Sequence, residues 1–346
     1  MKKYSYCVIG SFLKNKPSFG GQSIKTRTFA DVLKEHCGKE SVLTVDTYGW
    51  KKHPLRLVFN INKAIRSSDE IVILPANRGV YVIPKLVLFL AGRKPIKVHY
   101  VVIGGFLPGF VEKSKSLASA MKKMHGIYVE TSTMKKALES QGFTNVAILP
   151  NFKKINPLTP DELSYIESEP LPLCTFSRIL KEKGIGDISD AVMAVNRRLG
   201  RTAFTLDIYG KVDKNQVEWF ENLKSGFDSS VRYLGTVPPD QSVQTLKKYY
   251  SLVFPTHYYT EGIPGTLIDA YSAGIPVISA KWESFTDVVD DHVTGLGYEI
   301  DNQQALINIL LEIADDPSIM NKMKENCLKK AKEFDSEEAI KILASF

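Results

Sequence analysis

Cysteine is scarce in this chain and never clustered. Its four copies, Cys7, Cys37, Cys174 and Cys327, are spread over 346 residues with no CxxC pair and no histidine at metal-ligand spacing. That excludes a structural zinc site and a disulfide framework, and fits a reducing compartment. Long hydrophobic runs are missing too. The most lipophilic passage, VYVIPKLVLFLAG (80–92), is interrupted by Pro84 and Lys85, and falls short of the roughly 20 residues that span a bilayer. The basic start, MKKYSYCVIGSF, lacks a secretory h-region followed by a small-residue cleavage site. The expectation is a soluble, cytoplasmic protein that is at most bound to a membrane surface. No helix-turn-helix, RNP or zinc-finger pattern is present, so nucleic acid is not expected as a partner. Neither GxGxxG nor DxD occurs, which removes the dinucleotide fingerprint and one common way of holding a divalent metal on a diphosphate. The histidines His36, His53, His125, His257 and His292 form no metal-ligand spacing, and no metal is expected.

What the chain does have is an uneven charge. The net charge of +7 conceals 24 Lys/Arg against 9 Asp/Glu in residues 1–150, and 21 against 29 in residues 151–346. The split argues for a domain boundary near 150 and for a first half that faces something anionic. Lys51, Lys52, Arg56, Lys63 and Arg66, beside LRLVFNI, and Arg93-Lys94 after VLFLAG suit an anionic membrane surface at the inner face of the cell membrane. Basic helix faces on a soluble protein would read the same way.

Short apolar runs alternate with helical patterns. Buried strands are expected at 6–12, 41–47, 70–75, 96–104, 126–131 and 146–151, with helices such as 23–36 and 133–142 between them. After a Pro- and acid-rich stretch at 153–172 the pattern restarts, with strands at 173–179, 204–210, 231–235, 251–256 and 275–280 and a helical stretch at 318–334. Buried strands alternating with helices imply an α/β fold with two Rossmann-like, doubly wound parallel-sheet domains. Two such domains facing one another would enclose a cleft at the carboxyl ends of both sheets. The expected division is 1–152, a linker at 153–172, 173–327, and a last helical segment, 328–346, that packs back on the first domain.

Three loops carry the chemistry. In SFLKNKPSFGGQS (11–23), Gly20 and Gly21 precede a helix and let the backbone approach an anion closely, although a tight turn explains the pair as well. In SRILKEKGI (177–185), Arg178 and Lys183 follow a buried strand, a fork and a point charge suited to a diphosphate. In HYYTEGIPGTLIDAYSAG (257–274), Gly262, Pro264 and Gly265 leave a loop whose amides can meet a ligand. Thr266 offers a hydroxyl for helix capping or for phosphate. Asp269, near the expected first turn, is explained by the helix dipole alone. Glu261 has no structural task that the sequence reveals.

These segments resemble retaining nucleotide-sugar glycosyltransferases of family GT4, which have the GT-B fold. EGIPGTLIDAYSAGIPVI is similar to the family's Glu-x7-Glu signature, SRILKEKG to its Arg-…-Glu-Lys-Gly segment, and FGGQSIKTRTFADVL to its Gly-Gly loop. VRYLGTVPPDQSVQTLKKYYSLVFPT and HVTGL extend the likeness over nearly the whole chain. The resemblance implies that Arg178 and Lys183 bind the donor diphosphate and that Glu261 lies at the sugar. It also implies that the loop of Gly262, Ile263, Pro264, Gly265, Thr266 and Leu267 holds sugar hydroxyls and phosphate through its amides. Asp269 would take the ribose, Tyr209-Gly210 and Thr236-Val237 would frame the base, and the Gly104-Gly105 backbone would line the sugar pocket. His99 reads as a packed strand residue. Two departures stand out: Asp269 replaces a Glu, and Ser177 stands where Gly is common.

The implied reaction is hexosyl transfer from a UDP- or GDP-sugar to a hydroxyl of a saccharide or lipid-linked saccharide, retaining and metal-independent, with no cofactor, in surface-polysaccharide or glycolipid assembly. Competing readings are a catalytically inactive nucleotide-sugar-binding subunit and a GT-B sugar-nucleotide epimerase or phosphorylase.

Overall fold

The computed structural model describes residues 3–13, 21–75 and 77–344, and the chain divides into two compact units. The first runs to Lys154 and regains the segment from Ser336, while the second holds Ile155–Asp335. The first unit's strands are β1 (Tyr4–Gly10), β2 (Val42–Asp46), β3 (Ser68–Leu74), β4 (Lys97–Val101), β5 (Gly126–Val129) and β6 (Val146–Ile148). They lie in the order β2-β1-β3-β4-β5-β6, every pair parallel. The second unit's are β7 (Leu171–Phe176), β8 (Phe204–Tyr209), β9 (Val231–Gly235), β10 (Ser251–Phe254), β11 (Val277–Lys281) and β12 (Gly295–Glu299). Their order is β12-β11-β10-β7-β8-β9, again all parallel. The doubly wound α/β architecture expected from the alternating runs is therefore present twice.

The strands are continuous apolar runs because both faces of each sheet are covered. Cys7, Ile9, Ile71 and Ile73 enter one core with Leu57 and Ile61 of the helix Pro54–Ser67 and Val87 of the helix Ile83–Ala91. Val8 and Val72, one residue out of phase, enter the opposite core with Phe29 and Leu33 of the helix Gly21–Cys37. The side-chain period of two in a strand makes this division automatic. Chain order reverses direction between β1 and β3 and between β7 and β10, the positions beside which ligands of open α/β sheets bind.

Two elements differ from the sequence expectation. Strand β12 lies in a stretch not read as a strand, because Gly295 and Gly297 weaken its β signal. A Cβ on Gly295 would lie 2.3 Å from the Val277 carbonyl oxygen, and one on Gly297 would lie 2.4 Å from the Phe285 ring, so close packing demands glycine here. The stretch 318–334 is not one helix but Ser318–Asn321, Lys324–Ala331 and a 3-10 turn at Lys332–Phe334. Leu328, Ala331 and Phe334 are buried and the last two belong to the second unit's core, so the chain returns to the first unit at Ser336 and not at 328. There the Ser336 amide donates to the Lys153 carbonyl at 3.1 Å and Ala339 joins Phe29 and Phe152. Among the described residues no helix is long and apolar enough to cross a membrane.

Candidate active site

At the carboxyl ends of β7, β8 and β10 three loops meet, and glycine is what lets them. Gly184 has φ +68° and a Cβ there would lie 1.8 Å from the Pro255 carbonyl oxygen. Gly210, at φ +144°, would place a Cβ 1.6 Å from the Ser177 carbonyl oxygen. Both conformations exclude a side chain on steric grounds. The loop after β7 is thereby pressed against the starts of the loops after β10 and β8. The His257 amide donates to the Glu182 carbonyl at 2.9 Å, and the Gly210 amide to the Gly235 carbonyl at 2.7 Å.

This contact brings Lys183 and Glu261, 78 residues apart, into an ion pair through Lys183 Nζ and Glu261 Oε1. The two side chains are 16% and 19% exposed. The Lys183 ammonium also sits over two rings, 5.4 Å from the centre of Phe254 and 5.0 Å from that of Tyr258, where the ring quadrupoles favour a cation. The Thr256 hydroxyl donates to Glu261 Oε1 at 3.2 Å and accepts from the Tyr258 amide at 3.2 Å. Burial raises the Tyr258 phenol above its ordinary value, with Glu182 adding to the shift and Arg178 opposing it. Arg178 is exposed, with Nη1 3.6 Å from Asp213 Oδ2, a loose pair that leaves most of its donors to solvent.

The helix Gly265–Ser272 starts at Pro264 with no side-chain cap. The first-turn amides of Gly265 and Thr266 precede any intrahelical acceptor, while the Leu267 amide is already spent on the Pro264 carbonyl at 3.0 Å. Thr266 does not cap the helix: its Oγ1 is buried without a hydrogen-bond partner among the described residues. Gly262, Ile263 and Leu267 are buried, and the side chains of the last two enter the core, so only the backbone of this loop is offered to a ligand. No acidic residue stands in the first turn. Asp269 lies a turn further in and is buried, so the dipole reading of that residue loses its footing.

Tyr209 is buried, its ring 4.7 Å from Phe176. Its hydroxyl meets that of Tyr249 at 2.7 Å, and Tyr249 donates to Asp207 Oδ2 at 2.7 Å. The Tyr209 side chain is thus committed inside, and Gly210, with φ open and its carbonyl accepting from the Tyr233 hydroxyl at 2.8 Å, carries the surface there. Thr236 is exposed and Val237 packs against the core of β10.

In the first unit, Gly21 opens the helix Gly21–Cys37, and Gly20 lies outside the described residues. Gly104 has φ +77°, and its amide donates to Glu130 Oε1 at 3.3 Å. Gly105 is buried beside it. The same carboxylate holds the Lys25 ammonium at 2.5 Å, and that ammonium also donates to the Val102 carbonyl at 3.0 Å. His99 is buried in β4, with Nε2 3.1 Å from Glu70 and Nδ1 3.2 Å from the Tyr128 hydroxyl, as a packed strand residue should be.

Sequence reasoning did not find Tyr258, Thr256, Asp213, Lys25 or Glu130. For Tyr258 the signal was available, an aromatic three residues before Glu261 in a loop facing two cations. His257 is held from both sides, Nδ1 2.5 Å from Asp301 and Nε2 2.8 Å from Asp187. Among the described residues no group of three or more His, Cys, Asp or Glu is arranged to hold a metal ion.

Comparisons with known proteins give a family match and several structural likenesses. Residues 164–333 match the family described as glycosyl transferases group 1. The amylovoran biosynthesis glycosyltransferase AmsK of Erwinia amylovora is 23% identical over 150 residues, 42% of this chain and 36% of that protein. The sucrose synthase of Melioribacter roseus is 21% identical over 50% of this chain and 24% of its own length. The chain thus spans about a third or less of the curated relatives it matches. Among solved structures, Anabaena HepE in complex with UDP-glucose superposes with a TM-score of 0.76 at 15% identity, covering 99% of this chain and all of that one. The lipopolysaccharide outer core galactosyltransferase WaaB in its apo form gives 0.71 at 16% over 99% and 100%. This chain has the GT-B fold, and its residues 164–333 carry the match to the glycosyl transferases group 1 family.

Proposed function

We propose that this protein is a retaining, metal-independent glycosyltransferase of family GT4 that moves a hexosyl group from a nucleoside-diphosphate sugar to a hydroxyl acceptor. The observation that carries the proposal is the Lys183–Glu261 pair, walled by Phe254 and Tyr258 beside the uncapped helix Gly265–Ser272. Breaking the anomeric C–O bond puts negative charge on the departing diphosphate. Lys183, Arg178 and the free amides at that helix start supply preorganised positive potential for it. An ammonium has three donors, so Lys183 can keep Glu261 while it takes up a phosphate oxygen. Glu261, steadied by Thr256, then accepts from sugar hydroxyls. The acceptor oxygen attacks from the face the diphosphate leaves, and its proton passes to the departing phosphate oxygen, so no separate base is required. Asp269, Gly210 and Thr236-Val237 serve the nucleoside.

A UDP-sugar is the donor we favour, since HepE was crystallised with UDP-glucose. A saccharide or lipid-linked saccharide of surface-glycan assembly is the acceptor we favour, since WaaB acts on the lipopolysaccharide outer core. A thermal-shift panel of UDP- and GDP-sugars names the donor, and release of the nucleotide from it measures turnover. Lys183→Ala and Glu261→Gln are expected to slow turnover by about 10²–10³-fold, the usual effect of removing one transition-state charge partner, with unchanged circular dichroism. Wild-type turnover by either variant sinks the assignment. Stabilisation by a nucleotide sugar without turnover against any acceptor or water would favour the binding-subunit reading, which the Asp at 269 motivates. Loss of turnover in EDTA, restored by Mn²⁺, would remove the metal-free mechanism.

A further inference from the structure

The three most exposed large apolar side chains among the described residues are Leu55, Phe89 and Phe59, at 83%, 81% and 68%. They stand on two helices that pack on the same core of the first unit and touch one another. The helix Pro54–Ser67 buries Leu57, Ile61, Ala64 and Ile65. Its outward stripe reads Leu55, Phe59, Lys63, Arg66, a spacing of four, four and three that keeps all of them on one side. The helix Ile83–Ala91 buries Ile83, Pro84, Val87 and Ala91, and its outward side carries Lys85 and Phe89, with the exposed Arg93 just past the helix end.

Charge around these side chains has one sign. Residues 47–111 contain ten Lys/Arg and only two acidic residues, Asp69 and Glu70. Both of those are occupied, Asp69 by Lys3 and Glu70 by His99 and Lys97. Behind Phe89 lies a hollow of about 970 Å³ lined by Lys85, Lys94, Lys97, Lys123 and His125. Lys94 and Lys123 have no ion-pair partner among the described residues. An exposed apolar stripe of this kind has no reason to persist on a fully solvated surface, and a protein partner would not need so uniform a charge.

We propose that this face docks on an anionic lipid bilayer. Leu55, Phe59 and Phe89 enter the interface, the surrounding cations meet the headgroups, and the lysine-lined hollow receives a lipid phosphate. Apolar insertion and cation attraction each give only weak binding alone, and together they give a usable anchor. The proposal stands independently of the transferase chemistry.

Vesicle flotation tests it. The full chain is expected to float with phosphatidylcholine vesicles containing about 30% phosphatidylglycerol and to stay in solution with phosphatidylcholine alone. Raising salt to about 0.5 M should release much of it, because the Debye length falls below the charge spacing. The variant Leu55→Ser/Phe59→Ser/Phe89→Ser and the variant Lys94→Glu/Lys123→Glu should each weaken binding by about tenfold or more. All five positions are exposed, so circular dichroism should not change. Nucleotide release from donor in free solution should also stay at the wild-type rate in both variants, so failure of docking is distinguishable from failure of the enzyme reading. Equal binding to both vesicle types, or wild-type flotation by either variant, overturns the proposal. So does a concentration-dependent dimer that the apolar variant abolishes while no vesicle binds, an outcome that assigns the face to a second copy.

Discussion

The two units share a fold and differ in how each treats a buried lysine. In the first, Lys25 is 5% exposed and fully engaged, donating to Glu130 and to the Val102 carbonyl, while Glu130 also receives the Gly104 amide. In the second, Lys324 is fully buried, and its ammonium has no hydrogen-bond partner among the described residues. Lys183 lies between these extremes, paired with Glu261 and still open to solvent on one side. Burial alone therefore does not mark a working cation. A closed pair such as Lys25–Glu130 positions backbone, an orphan such as Lys324 costs stability, and a pair with donors to spare is the one that can take a ligand.

The largest expected effect breaks the closed pair. Lys25→Met leaves Glu130 buried without its cation, which typically costs about 3–5 kcal/mol. Denaturant unfolding should show that loss, and hydrogen exchange should show β4 and β5 amides losing protection. A cost below about 1 kcal/mol would place Lys25–Glu130 with ordinary surface pairs and remove the distinction from Lys183–Glu261.

The orphan should behave in the opposite sense. Burial pulls the Lys324 ammonium down to about 8 from 10.5, with Cys327 opposing slightly. A folded-state value below the unfolded one means that the fold gives up stability as pH falls from 10.5 through 8. The full cost then applies at neutral pH. Two and a half units correspond to a cost on the order of 3 kcal/mol. Lys324→Met should therefore raise the unfolding free energy at pH 7 by up to that amount, with the gain shrinking toward zero above pH 10.5. A destabilised variant at pH 7 would mean that the ammonium has found a partner, such as a buried water shared with the unsatisfied Asn321 Oδ1.

Much of this was legible in the sequence, and the reasons are local. Runs such as IVIL read as strands buried on both faces, and Arg178, Lys183 and Glu261 stood out as charges without a surface helix to belong to. Lys25 and Glu130 could not be paired from spacing, since 105 residues separate them and each reads alone as an ordinary surface charge. Strand β12 was hidden by the glycines its packing requires. Asp269 was expected near the first turn; the helix begins at Gly265, so this carboxylate lies just past that turn, and it is buried. Periodicity fixes which face a residue takes more securely than it fixes where an element starts.

The smallest expected effect concerns His99, whose ring is buried and engaged on both nitrogens in the first unit. Burial lowers its folded-state pKa below 6.5, with His125 and Lys97 acting in the same direction and Glu70 opposing. As pH falls through 6.5 the unfolded chain takes up the proton first, so the fold loses stability until the lower folded-state value is reached. The loss from this one group is expected to be the smallest of the three. Urea midpoints of wild type and His99→Gln at pH 7.5, 6.5 and 5.5 isolate it, because the remaining carboxylates and histidines cancel in the difference. The gap between the two proteins should narrow as pH falls. If it widens, protonated His99 is being held by Glu70, and the pair belongs with Lys25–Glu130 as an interior charge that the first unit keeps.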